Sequence, residues 1–140
     1  MSTYPGRHVP GAMAPASTFA RPVPALDEDG LGGILDDTAG IHAGIDMIRD
    51  GIRLLALDRL TVRQTQNVLA ALAAADPNLT HAIGALVERL TNPDTNPALD
   101  ALDPQTAKDV QVLGEQYRQH TVDYGPHDLA GEAIARIEGI

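Results

Sequence analysis

The sequence predicts an all-α fold, a helical bundle of four to five helices behind an extended arm, on three observations. From about residue 34 onward apolar residues recur at three- and four-residue spacing. No segment alternates apolar and polar residues as a half-buried strand does. Oxygen-bearing side chains also stand directly before prolines, the arrangement that opens a helix with a cap and a residue whose missing N–H costs nothing there.

The arm comes first. Residues 1 to 33 hold Pro5, Pro10, Pro15, Pro22 and Pro24, with Gly6, Gly11, Gly30, Gly32 and Gly33, and show no periodic apolar face. Proline removes backbone donors and holds the chain near polyproline geometry, so this segment gains order only by lying on something. Tyr4, Phe19 and Val23 are its apolar handles, which makes it a flexible or partner-docked arm. "GLGG" at 30 to 33 reads as a hinge, and residues 34 to 140 read as a single helical domain.

The first helix is expected to start near Asp36, with Asp36 and Asp37 against the positive end of its dipole, and to run to about Leu57. Ile34, Ile41, Ile45, Ile48, Ile52 and Leu55 fall on one row with Thr38 in alternating steps of four and three, a core seam that neighbouring helices should shield. Roughly 90° around the cylinder lie Gly40, Gly44 and Gly51, flanked by Met47 and Leu54. A mid-helix glycine costs about 0.5–1 kcal/mol relative to alanine, and close approach of a second helix would offset it. Tyr4, Phe19, Gly40, Gly44, Met47, Gly51 and Leu54 are therefore the candidate partner interface; used inside the monomer, the glycine face has no such role, and Gly40 could instead simply end a short preceding turn. On this reading Ile48→Asp abolishes folding, whereas Gly44→Leu keeps helicity and changes the oligomer mass.

Further helices follow. Thr61 and Gln64 have the spacing of a capping box, opening a helix over 62 to 75. Asp76-Pro77, Asn96-Pro97 and Asp103-Pro104 announce helices at 77 to 91, near 97 to 102 and at 104 to about 122. Gly125 and Pro126 end that run, and 127 to 138 carries a last helix with Leu129, Ala133, Ile134 and Ile137.

Composition narrows the function. The charge is −9, but the first 25 residues carry Arg7 and Arg21 and no acid, so the remainder carries −11. A field of that sign opposes binding to phosphate backbones. There is no cysteine, the only serines are Ser2 and Ser17 in the arm, and Lys108 is the only lysine, so no held nucleophile or phosphate-cradling loop is visible. His120, Asp123, Tyr124 and His127 cluster in sequence, yet a Gly-Pro break divides them, and they read as surface residues rather than metal ligands. No catalytic residue, cofactor or metal is expected. The longest apolar run, "VLAALAAA" at 68 to 75, is far below the ~20 residues of a membrane span, and no leader pattern opens the chain.

The expected role is contact: a non-enzymatic structural or protein-interaction subunit of a larger assembly, a homo- or hetero-oligomer that is cytoplasmic or part of a virion or other intracellular assembly. The alternative is a small DNA-binding or antitoxin-like regulator using 61 to 91 as a helix-turn-helix, with Asn78, Thr80 and His81 near the start of the recognition helix.

Overall fold

A computed structural model of the chain describes residues 21 to 26, 30 to 123 and 127 to 138. It is all-α, with no strand among the described residues. The elements are α1 (Leu31–Asp37), α2 (Ala43–Leu57), α3 (Val62–Leu69) continued by a π-helical turn (Ala70–Ala74), α4 (Leu79–Leu90), a 3-10 turn (Pro97–Ala101), α5 (Pro104–Asp123) and α6 (His127–Glu138). By its internal contacts the chain divides into two compact units, Met1–Leu60 and Thr61–Ile140.

In the first unit the single helix expected over 36 to 57 is two helices. Gly30 and Gly40 both have positive φ, +82° and +75°, a backbone that side-chain-bearing residues rarely adopt. The first starts α1 inside the expected hinge, and the second breaks the row of isoleucines. Thr38 closes α1 by donating its hydroxyl to the Ile34 and Leu35 carbonyls at 3.0 and 3.2 Å. Asp36 and Asp37 therefore stand at the C-terminal end of α1, where the dipole is unfavourable to them, and not at a helix start. His42 then caps α2, its Nδ1 accepting from the Gly44 N–H at 2.8 Å. Asp46 accepts from the Gly40 N–H at 3.0 Å and from Arg49 at 3.3 Å, and Arg49 Nε donates to the Leu35 carbonyl. Leu35, 2% exposed, is the one buried hydrophobic residue among those described.

In the second unit α5 packs along α4, while α6 lies on α3 and the π-helical turn, which also touches α4. The capping box at Thr61 forms as expected, with Gln64 N–H to Thr61 Oγ1 at 3.0 Å and Thr61 N–H to Gln64 Oε1 at 2.9 Å. Asn96 caps the 3-10 turn with Pro97 in its first turn, and Asp103 caps α5 at Pro104 by accepting from Thr106 N–H at 2.9 Å. Asp76-Pro77 does not open a helix. Asn78 is the cap of α4, accepting from His81 N–H at 3.0 Å while His81 Nδ1 accepts from Asn78 N–H at 3.3 Å. Asn78 wins because its amide also donates to the Ala73 and Ala75 carbonyls at 2.9 and 2.8 Å, and Thr80 donates to the Leu72 carbonyl at 2.8 Å. One side chain thus joins the end of the π-helical turn to the start of α4.

The α4–α5 contact rests on two glycines. A Cβ on Gly84 would overlap Thr121 Oγ1 and sit 3.1 Å from its Cγ2; one on Gly114 would overlap Thr91 Oγ1 and sit 2.7 Å from its Cβ. Seven residues on along one helix match seven residues back along the other, which defines an antiparallel pair in fixed register. The Glu88–Arg118 ion pair joins the same two helices.

Gly114→Ala and Gly84→Ala should each destabilise by about 1–3 kcal/mol, as overpacking does, despite the better helix propensity of alanine. Gly51→Ala, where nothing lies within 4 Å, should instead gain about 0.5–1 kcal/mol. Urea titrations of the three variants check both signs. A pH titration checks Asp103. The Thr106 backbone and hydroxyl bonds hold its carboxyl below the usual value of 3.8. A depressed folded-state pKa means that the stabilisation is fully present above the ordinary carboxylate range and is lost as pH falls through the folded value. Asp103→Asn should therefore lose stability less steeply than wild type over that acid window.

Candidate functional site

The exposed apolar surface of α2 is the candidate site. Its fifteen residues include none that is buried. Met47 is 74% exposed, and Ile48, Ile52, Leu54 and Leu57 are each more than a third exposed. A helix of this length is marginal in water unless an apolar face is covered. α1 is too short to cover it: it has seven residues and is tied to α2 by the bond from Arg49 to the Leu35 carbonyl.

The sequence-derived residues distribute as follows. Ile34 lies on α1 and Ile41 in the turn, both well exposed, so they are cut off from Ile45, Ile48, Ile52 and Leu55 on α2. Ile45 and Leu55 are half-buried, and the seam as a whole is not shielded by the described residues. The reason is the left-handed Gly40, which turns the chain where the four-three spacing runs on unbroken.

The glycines of the interface also differ from one another. Gly40 is a turn residue, as the simpler reading of it had allowed. Gly44 faces its own cap, since a Cβ there would stand 3.2 Å from His42 Nδ1. Gly51 opens onto free space, beside Met47 and Leu54. Tyr4 and Phe19 lie outside the described residues. The helices that do approach closely, α4 and α5, meet at glycines the sequence reading passed over. Gly84 and Gly114 each sit mid-helix in a four-three row with threonines and valines, Thr80, Gly84, Val87 and Thr91 on one helix and Val110, Gly114 and Thr121 on the other. That was the available signal.

Chemistry is sparse. Among the described residues no group of three metal-capable side chains comes together. His120 is exposed on α5, and the side chains of Asp123, Tyr124 and His127 lie outside the described residues. The first unit has a cleft of about 530 Å³ lined by Ala25, Leu26, Gly33, Asp36, Arg53 and Leu57. The second has one of about 410 Å³ over the outer side of α4, where Arg118 is already paired with Glu88. Neither is lined by a histidine or a serine. No described helix is long and apolar enough to cross a membrane. No family model, curated protein or solved structure matches the chain.

Ile48→Asp separates the two views of this helix. With Ile48 45% exposed, the substitution should cost no more than about 1–2 kcal/mol and leave a cooperative transition, instead of abolishing folding. Far-UV circular dichroism with thermal unfolding decides it.

Proposed function

We infer that the chain acts by contact, as a non-catalytic subunit of a larger protein assembly, and that α2 is the helix it offers to a protein partner. One observation carries this reading: a fifteen-residue helix with exposed isoleucine, leucine and methionine and no buried residue. Apolar helix faces laid into a partner's groove are a recurrent mode of recognition, with anchors at three- and four-residue spacing. Ile45, Ile48, Ile52 and Leu55 have that spacing. Gly51 leaves the flank of the row bare, which allows the partner's backbone to come close. Asp46 and Arg49 are tied to each other and to the α1 turn, so they stabilise the helix from its other side rather than contributing charge to the contact.

The DNA-reading alternative gains no support. Asn78 is 8% exposed and committed to four hydrogen bonds, His81 completes its capping box, and Thr80 is bonded to Leu72. Reading a base edge would require these side chains to leave the caps that start the helix.

The test compares the chain in extract from its native source with the purified chain, by sedimentation. The wild type should travel in a heavier species than the purified protein. The Ile48→Glu/Ile52→Glu variant, helical on its own, should not. Equal sedimentation of wild type in extract and in isolation defeats the reading.

A further inference from the structure

A second open face lies on the other unit. Leu79, Ile83, Leu86 and Leu90 follow one another on α4 in steps of four, three and four, and each is roughly half exposed, between 43% and 53%. Each of the four directly precedes a residue of the four-three row that carries the α4–α5 seam, Thr80, Gly84, Val87 and Thr91, of which Gly84 and Thr91 touch α5. They therefore sit about 100° from that seam. Glu88, which follows seam residue Val87, turns the opposite way and pairs with Arg118. The ion pair thus falls to one side of the α4–α5 seam and the leucine row to the other, with Leu86 reaching the outer cleft of α4 that the pair also borders. On α5 Leu113 precedes Gly114 in the same fashion, with Tyr117 one turn on, so both side chains join the leucine row on that edge; they are 64% and 46% exposed.

We propose that this face is the contact between two copies of the chain, related by a two-fold axis that sets α4 antiparallel to its partner's α4. Three features select a second copy as the occupant. The four-three-four spacing reads the same in both directions, so the two-fold brings Leu79 opposite Leu90 and Ile83 opposite Leu86 in a single alignment, the self-complementarity an isologous interface needs. The six side chains carry no charge, and the ion pair nearest them, Glu88–Arg118, borders the cleft that Leu86 also lines and is satisfied within one copy. Finally, six half-open side chains of this size leave about 500–600 Å² of apolar surface per copy, the upper end for a monomer. Two copies together cover about 1,000–1,200 Å², the lower edge of a specific interface. The resulting dimer is weak to moderate and tightens with added salt, because both chains are acidic.

Sedimentation equilibrium of the purified full chain, from micromolar to millimolar, should give a mass rising to twice 14.8 kDa, at lower concentration when salt is raised. Leu86→Glu should stay at the single-chain mass with unchanged helicity, while Met47→Glu on α2 should dimerise like wild type. The chain has no cysteine, so introduced thiols report directly. A mixture of Ile83→Cys and Leu86→Cys chains should oxidise to a covalent dimer, and neither alone should. A single-chain mass throughout, a dimer that survives Leu86→Glu, loss of the dimer in Met47→Glu, or no cross-link in the mixture would overturn the proposal. None of these outcomes bears on α2 as the docking helix for a different protein, because that is read in native extract.

Discussion

The closeness of α4 and α5 is the constraint from which the Thr61–Ile140 unit takes its form. Where Gly84 meets Thr121 and Gly114 meets Thr91, a single added methyl group has nowhere to go. Glycine in mid-helix is costly for the isolated helix, so its presence at both crossings indicates that packing outweighs propensity there. Two glycine–threonine contacts one heptad apart fix both the register and the facing sides. Once those are set, the Glu88–Arg118 pair falls on one edge and the leucine row on the other. What is exposed on this unit is a consequence of what is tightly held.

The Met1–Leu60 unit is held together in a different manner. Among its described residues Leu35 alone is buried, and the ties around it are polar: Arg49 to the Leu35 carbonyl, Asp46 to the Gly40 N–H, Thr38 back onto α1 and His42 onto α2. Each exposed tie of this kind contributes only about 0.5–1.5 kcal/mol. Together they orient α2 against the turn without covering it. An amphipathic helix presented in a set direction by its caps is well suited to lying against something larger.

How much of this was legible in the sequence depended on range. Caps whose partners lie within three residues were readable: Thr61 with Gln64, Asn96 before Pro97 and Asp103 before Pro104 all act as their spacing implies. Asp76 does not act as its spacing implies because Asn78, two residues later, reaches back to carbonyls at 73 and 75, a bond that depends on how the preceding helix ends. The isoleucine row spans two helices although its spacing runs on unbroken, because periodicity carries no information about φ and Gly40 fits a helix wheel as well as it fits a turn. Glycines mark close helix approach within the chain at Gly84 and Gly114, whose partners the sequence does not name. Which helix stands opposite a glycine is a tertiary fact, and Gly44 and Gly51 differ from Gly84 and Gly114 only in their neighbours.

The π-helical turn at Ala70–Ala74 makes the joint that follows it sensitive to length. Its closing bond runs from Ala75 N–H to the Ala70 carbonyl at 2.8 Å, one residue wider than an α-helical turn. The carbonyls of Leu72 and Ala73 lie in the last turn, where no helical amide reaches them, and accept instead from Thr80 and Asn78. Lose one residue from "AALAA" and those carbonyls swing by about a quarter turn, out of reach of the side chains that now receive them. Chains descended from the same ancestor should accordingly vary in identity within this stretch far more readily than in the number of residues it contains.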